Sequence, residues 1–305
     1  MDDKRKGLGT EKKRNLTFYC LMVAFPTVQF FIFYIIVNFN SLLLAFQKID
    51  ILTNTTVWTF ANIKNTVEKL WTDVQYIYLV KNSLVSYSLI LCIGTPLGLF
   101  FSFYIYKKMP GGGVFRVILF MPSIVSAVVM VTIFTFFVDN ALPAAIFKLT
   151  GERPRGFISN PETRYTAIIF YNIWIGFGTS VLMYSNGMSG IDPEIVESAH
   201  LDGASGIKEF WYISFPLIYS TFSTFLIFGV ATLFTSQINL YSIYAGAAPT
   251  ELRTFGYYLY QMTLAAKSKA EYPPLAAMGI ILTCIAVPLT FFVKWLLEKI
   301  GPSME

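Results

Sequence analysis

Residues 197–203 read ESAHLDG, and after nine further residues the chain reads ISFP at 213–216. This is a polar segment with long apolar runs on both sides. A polar segment between two membrane spans, with a fixed internal spacing, indicates a place where a partner docks. The neighbouring runs decide whether this interpretation holds, because it requires that they cross a membrane.

The composition is that of a membrane protein. The chain has 305 residues, of which 55% are hydrophobic and only 13% charged, and its mean hydropathy is +0.57. A soluble domain carries about 25% charged residues. This chain therefore has too little charge to cover the surface of a water-soluble protein.

Six stretches of at least 22 residues contain no Asp, Glu, Lys or Arg. A helix needs about 20 residues to span the hydrocarbon core, and a charge at its centre costs about 2.5–3.5 kcal/mol. Buried helices of a soluble protein are the alternative, but their apolar stretches normally have about 10–14 residues. The sequence predicts an all-α integral membrane protein with six transmembrane helices, at about 17–46, 82–106, 114–138, 165–188, 212–238 and 275–297.

Basic residues set the predicted orientation. Residues 1–15 contain six Lys or Arg, and the short connection 107–116 adds three. Positive charge close to the spans favours the cytoplasmic side, so we expect 1–15 to be a cytoplasmic tail, 16–300 a single transmembrane domain, and both termini cytoplasmic. The first apolar stretch is too long for a cleaved signal peptide. The net charge of +5 is explained by contact with anionic lipid. It therefore requires no nucleic-acid partner.

The loop between the fourth and fifth spans, residues 189–210, begins like a helix. Asp192 is a good N-cap, Pro193 suits the first helical position, and Glu194 favours the positive end of the helix dipole. Gly203 then allows a sharp turn. A short helix that exposes Glu197 could enter a groove on a soluble partner, although a plain solvated connection is also compatible with the spacing.

Five residues in this region resemble the cytoplasmic signature of binding-protein-dependent ABC importer permeases: Glu197, Ala199, Gly203, Ile213 and Pro216. That signature reads E-A-A, three residues, G, nine residues, I-x-L-P, and its spacing matches throughout. Ser198 and Phe215 depart from it, by a small and an apolar replacement.

Other stretches are similar to the sugar-uptake branch of that family, which includes the maltose permease subunits. They are the Asp202-Gly203-Ala204 variant of the signature, FMP at 120–122, Trp174 with Gly176 and Gly178, and the segment 239–249. The last departs from the branch pattern G-G-G-P, since it ends in GAAP at 246–249. The resemblance covers about 17–297.

The resemblance implies a machine of several chains. The chain would be one of two membrane subunits, the second a different chain, in a bacterial or archaeal plasma membrane. An ABC ATPase dimer would bind the cytoplasmic coupling segment 189–210, and an extracellular binding protein would deliver the solute. The residues expected at the ATPase contact are Glu197, Ala199, Asp202, Gly203, Ala204, Ile213 and Pro216.

We expect no enzyme activity in the chain itself. It has no Walker A sequence and no catalytic or metal-binding motif, so ATP and Mg²⁺ would be bound by the partner ATPase and this chain would hold no cofactor. Its one histidine, His200, is interpreted as a surface residue rather than a base. The three cysteines, Cys20, Cys92 and Cys284, all fall in predicted spans and form no disulfide framework.

The predicted substrate is a sugar or oligosaccharide, by resemblance. Polar groups inside spans usually face the protein interior or a pathway, although any of them could merely link two helices. The candidates for the solute pathway are Asn82, Asn172, Trp174, Tyr184, Asn186, Ser236, Gln237, Asn239 and Tyr241. The alternatives are an importer of another solute, such as glycerol phosphate or a polyamine, and a membrane scaffold or sensor.

Overall fold

A computed structural model describes residues 2–50 and 55–302, with side chains described from residue 15 onward. The chain divides into two compact units. One comprises the residues up to Glu68 together with Ala266–Ile281, and the other comprises Lys69–Ala265 with the residues from Leu282 onward. Most of the described chain is helical.

The elements of the first half of the chain are, in order, α1 (Asp2–Gln29), a π-helical stretch (Phe30–Ile36), α2 (Val37–Ala45), β1 (Gln47–Ile49), β2 (Thr56–Trp58), α3 (Ala61–Thr72), α4 (Val74–Tyr106), α5 (Gly112–Ile124), α6 (Ala127–Phe136), a π-helical turn (Phe137–Ala141) and α7 (Leu142–Thr150).

The second half contains α8 (Arg164–Ser189), α9 (Pro193–Leu201), α10 (Ile207–Glu209), a π-helical turn (Phe210–Ser214), α11 (Phe215–Leu217), α12 (Tyr219–Ala231), α13 (Leu240–Tyr244), a 3₁₀ turn (Thr250–Leu252), α14 (Phe255–Ala265), a 3₁₀ turn (Lys269–Glu271) and α15 (Tyr272–Ile300).

The described residues include five helices long and apolar enough to cross a membrane: Asn15–Ala45, Val74–Tyr106, Ala127–Thr150, Arg164–Ser189 and Lys269–Ile300. A sixth is present if the pair Ile207–Leu217 and Tyr219–Ala231, which bends by 68°, forms one span. This agrees with the predicted all-helical membrane fold.

In the first unit, a small hairpin follows the first long helix. Strands β1 and β2 pair antiparallel, with Lys48 opposite Val57. The Asn62 side chain at the start of α3 donates hydrogen bonds to the carbonyls of Ala45, at 3.2 Å, and Gln47, at 2.7 Å. This amide therefore holds α3 against the end of α2.

The second unit is built around the packing of α4 and α5 on α8. Ser102 of α4 donates to the carbonyl of Val181 on α8 at 3.0 Å. A Cβ atom at Gly178 would overlap the Leu119 carbonyl, so α5 and α8 approach each other more closely than a larger residue would permit. A neighbouring core cluster contains Leu99, Tyr184, Met188, Phe210 and Ile218.

Three predicted spans differ from the structure. The span predicted at 82–106 begins at Val74, eight residues earlier. The predicted helix 114–138 is two helices, because the backbone leaves the helical conformation at Val125 and Ser126, with ψ of 146° and 134°. The second of these continues beyond 138 to Thr150. The predicted helix 212–238 ends at Ala231 and is bent near Ile218. Its last predicted residue, Ile238, has φ of +43° and cannot belong to a right-handed helix.

Candidate functional site

The helix α9 begins where the sequence predicts. The Asp192 carboxylate accepts a hydrogen bond from the Glu194 backbone N–H at 3.0 Å, and Pro193 occupies the first helical position. Both features satisfy or remove amide groups that a helix start leaves unpaired. A helix of only nine residues is thereby given a defined first turn.

One face of α9 is buried and the opposite face is exposed. Val196 and Ala199 pack inward, with exposures of 9% and 8%. Glu197 is exposed, and Leu201 is 89% exposed at the end of the helix. The helix therefore presents a carboxylate and a large apolar side chain outward, which are suitable contacts for a partner groove.

A Schellman turn ends α9. The Ala204 N–H donates to the Ala199 carbonyl at 2.9 Å, and the Gly203 N–H donates to the His200 carbonyl at 3.0 Å. Gly203 has φ of +81°, in the left-handed region that this motif requires. Gly206, with φ of +58° and ψ of −119°, makes a second sharp change of direction before α10.

A residue that the sequence prediction missed, Glu209, lies at the base of this loop. Its side chain is fully buried. The Lys107 ammonium donates to both carboxylate oxygens, at 3.1 and 2.9 Å, and His200 Nε2 lies 2.8 Å from Oε2. His200, interpreted from the sequence as a surface residue rather than a base, has 43% of its side chain exposed and also pairs with this buried carboxylate.

The signal for Glu209 in the sequence is weak. It directly precedes the aromatic run Phe210-Trp211-Tyr212, where a carboxylate must be paired if it is buried. Nothing local identifies the partner, since Lys107 is 102 positions away.

The two remaining coupling candidates lie at the start of the bent pair. Ile213 belongs to the π-helical turn Phe210–Ser214 and is half-buried. Pro216 lies in α11, just before the 68° bend. The structure thus places five of the seven candidates on α9 and its turn, and two where the chain re-enters the helical bundle. Their contact with an ATPase stays a prediction.

Two candidates for the solute pathway, Asn172 and Tyr184, line one cavity of about 160 Å³ between α4, α8 and α12. Tyr87, Ser180 and Phe225 are among its other lining residues. The cavity combines hydroxyl and carboxamide groups with aromatic rings. Such groups can hydrogen-bond to a polar solute, and their place in a solute pathway stays a prediction.

A third candidate adjoins this cavity. The Asn239 side chain donates to Oδ1 of Asn172 at 2.8 Å, and Asn172 itself donates to the Ile238 carbonyl at 2.9 Å. Asn239 has φ of +56°, so this pair of amides holds a left-handed stretch of backbone in place.

Three further candidates make contacts elsewhere. Asn82 donates to the carbonyls of Glu251 and Arg253, at 2.8 and 3.0 Å. The Trp174 ring packs against Phe134. Asn186 is exposed and accepts a hydrogen bond from Arg116 at 3.3 Å.

The last three candidates lie around the end of the fifth span. The Ser236 carbonyl accepts a hydrogen bond from the Thr254 hydroxyl at 2.9 Å. The Gln237 carbonyl accepts one from Leu240 N–H at 2.9 Å. The Tyr241 ring meets another tyrosine edge-on, with ring centres 4.8 Å apart. These residues do not line the cavity with Asn172.

Among the described residues, no group of three or more His, Cys, Asp or Glu side chains could hold a metal ion. Cys20, Cys92 and Cys284 are free and exposed.

Several curated proteins are similar to this chain. It is 22% identical over 293 residues to the polygalacturonan/rhamnogalacturonan transport system permease protein YteP of Bacillus subtilis, covering 93% of this chain and 88% of that protein. It is 24% identical to the arabinooligosaccharides transport system permease protein AraP of the same organism, covering 85% and 81%. A shorter match, at 25% identity, covers 59% of this chain and 34% of the maltose/maltodextrin permease MalF of Escherichia coli.

A solved structure has the same fold. A chain of a bacterial ABC transporter involved in the import of the acidic polysaccharide alginate superposes with a TM-score of 0.78, at 22% sequence identity, over 97% of this chain and 99% of that one. In a second structure the alginate transporter is in complex with an alginate pentasaccharide-bound periplasmic protein, and the TM-score is 0.74.

The model of one family, described as the binding-protein-dependent transport system inner membrane component, matches residues 94–305. That range contains α9, the buried Glu209 and most of the residues that line the cavity beside Asn172, and it is well over half of the chain. This protein therefore belongs to the binding-protein-dependent transport system inner membrane component family, and it is a multi-pass membrane protein of the permease type.

Proposed function

We propose that this chain is a permease subunit of an ATP-driven importer that takes up carbohydrate, as oligosaccharides or fragments of polysaccharides. The similar proteins are named for polygalacturonan, arabinooligosaccharides and maltodextrin, and the similar structure comes from a transporter of alginate. Each of these is a chain of sugars, which favours a sugar polymer over a single small metabolite as the solute.

In this proposal the loop 189–210 and both termini lie in the cytoplasm. The support is the concentration of Lys and Arg in the first 15 residues and in residues 107–116. The end of α4, the start of α5 and the loop that carries α9 then share the side on which ATP is available.

The helix α9 is the proposed coupling element. Its capped start and its Schellman turn define a short rigid helix, and the exposed Glu197 and Leu201 are free to enter a groove of the ATPase. The ATPase dimer binds ATP and Mg²⁺, and its closure displaces α9. Because α9 is joined to the bundle through Glu209, this displacement changes how the spans pack.

The cavity between α4, α8 and α12 is the proposed part of the solute pathway in this subunit. The amide N–H groups of Asn172 already donate to the carbonyls of Ile168 and Ile238, and its Oδ1 accepts one bond from Asn239, so Oδ1 has one further lone pair to accept from a sugar hydroxyl. The rings of Tyr184 and Phe225, which also line the cavity, supply apolar contacts for a sugar ring. With Asn239 beside Asn172, movement of the backbone after α12 alters the pathway directly.

Two further partners follow from this scheme. A second permease subunit, a different chain, completes the pathway, and an extracellular binding protein brings the solute to it. The binding-protein partner is supported by the family description and by the complex of the similar alginate transporter with its periplasmic protein.

The observation that carries the proposal is α9 itself, a short helix with both ends fixed and an acidic, apolar outer face. The test of the substrate class is solute uptake into proteoliposomes that contain the assembled transporter and its binding protein. We expect ATP-dependent uptake of one carbohydrate from a panel of neutral and acidic oligosaccharides. Uptake of glycerol phosphate or a polyamine instead would overturn the carbohydrate assignment.

A further inference from the structure

Three elements meet at the carboxylate of Glu209. Lys107 caps the end of α4, and its ammonium lies 2.9 and 3.1 Å from the two oxygens. His200, in the last turn of α9, lies 2.8 Å from one of the same oxygens. Glu209 itself ends α10, immediately before the π-helical turn that leads into the fifth span.

The chain between α9 and Glu209 is a turn with open space around its two glycines. It contains Gly203 and Gly206, both with positive φ, and a Cβ added at either would meet no atom within 4 Å. The covalent connection from α9 to the fifth span is therefore an open turn, and no covalent connection leads directly from α9 to α4. The side chain of Glu209 supplies the direct link to both.

Burial makes this link strong. Glu209 is fully buried, and Lys107 is mostly buried, with 29% of its side chain exposed. A carboxylate removed from water is stable only while it stays paired, so separating it from Lys107 would leave an unpaired charge in the interior. Separating any one of the three elements from the others therefore costs free energy, whereas moving all three together does not.

We propose that Glu209 is a positioning residue that makes α9, the end of α4 and the start of the fifth span move as one body when the ATPase pulls on α9. This inference rests on the proposed function. It assigns to one buried carboxylate the transfer of movement to a second span, α4, whose sequence lies far from the coupling loop.

The test measures the distance between spin labels on Glu194→Cys, in α9, and Met109→Cys, beside the end of α4, in the assembled transporter. Both native residues are exposed, and Cys20, Cys92 and Cys284 are first replaced by serine. We expect the wild-type distance to stay the same with and without a non-hydrolysable ATP analogue. In Glu209→Gln the distance should shift on nucleotide binding, and solute-stimulated ATP hydrolysis should fall by about fivefold or more.

Two further variants separate this role from simple misfolding. The double variant Lys107→Met/Glu209→Met removes both charges while it keeps volume, a change that buried pairs often tolerate. It should fold, and the distance between its spin labels should still shift on nucleotide binding. The control is Glu298→Gln, which breaks the exposed pair with Lys294 at 3.7 Å and should leave both readouts unchanged.

The inference would be overturned if the wild-type distance shifts with nucleotide. It would also be overturned if the double variant keeps both an unchanged distance and normal solute-stimulated ATP hydrolysis. Either result would leave the proposed function standing. A wild-type chain that does not assemble with an ABC ATPase would remove the proposed function and this inference with it.

Discussion

Two glycines set the course of the chain after α9, and both do so through backbone conformation alone. Gly203 lies in the left-handed helical region, at φ of +81°. Gly206 lies at φ of +58° and ψ of −119°, outside every region that a residue with a Cβ normally adopts. The space around both is open, so substitution by alanine tests the backbone without causing a clash.

We predict that Gly203→Ala lowers the free energy of unfolding by about 1 kcal/mol, the cost of a Cβ in the left-handed region. Gly206→Ala should lower it by about 2–3 kcal/mol, because a residue with a Cβ adopts this conformation only under strain. Thermal unfolding of the purified protein in detergent measures both. Gly113→Ala is the control, since this glycine lies in α5 with no neighbour within 4 Å and should show no loss. Equal stability of the three variants would contradict this account of the turn.

Ala245 presents the opposite case, a residue with a Cβ where glycine belongs. Its φ of +51° and ψ of −121° resemble those of Gly206. Its carbonyl is held in place by the Tyr257 hydroxyl at 2.8 Å. We predict that Ala245→Gly raises the unfolding temperature, since the strain relieved, of about 1–3 kcal/mol, exceeds the entropy cost of glycine, about 0.5–1 kcal/mol.

The control for Ala245→Gly is Ala247→Gly, two residues away and without a positive φ. It should be destabilising. If both substitutions change the unfolding temperature in the same direction, Ala245 is not strained.

At the scale of elements, features that depend on neighbouring residues could be predicted and those that depend on distant ones could not. The start of α9 follows from Asp192 and Pro193 acting on adjacent amides, and the apolar stretches indicate where helices lie. Hydrophobicity does not indicate where the backbone leaves the helical conformation, so the break at 125–126 and the end of α12 at Ala231 were missed. Glu209 was missed because its partner Lys107 is supplied by the fold.

The contact between α5 and α8 depends on a single glycine. A Cβ at Gly178 would overlap the Leu119 carbonyl, which belongs to helix backbone and cannot give way easily. We predict that Gly178→Ala lowers the free energy of unfolding by about 1–3 kcal/mol, the usual cost of overpacking. Gly176→Ala, with no neighbour within 4 Å of its added Cβ, is the matched control. Equal unfolding temperatures for Gly178→Ala and Gly176→Ala would show that α5 and α8 separate readily.

For the whole molecule, the proposed topology requires α8 to cross the membrane. Residue 152 and residue 197 lie on either side of α8, and both are exposed. In cells that contain the chain without its ATPase partner and without the native cysteines, we predict that a membrane-impermeant maleimide added to intact cells labels Glu152→Cys and not Glu197→Cys. Permeabilised cells should label both. Labelling of Glu197→Cys in intact cells would reverse the orientation and place α9 out of reach of ATP.

The central claim is that α9 transmits ATP hydrolysis by a partner to the transport of carbohydrate. The most direct test is solute-stimulated ATP hydrolysis by the reconstituted transporter with its binding protein, for the wild-type chain, for Glu197→Ala/Gly203→Pro and for the control Glu194→Ala. The proline is incompatible with φ of +81° and removes the N–H that Gly203 donates to His200. We predict that one carbohydrate stimulates the wild type and the control, and that the double variant assembles but is not stimulated. Full stimulation of the double variant, or no stimulation of the assembled wild type by any carbohydrate, would contradict the claim.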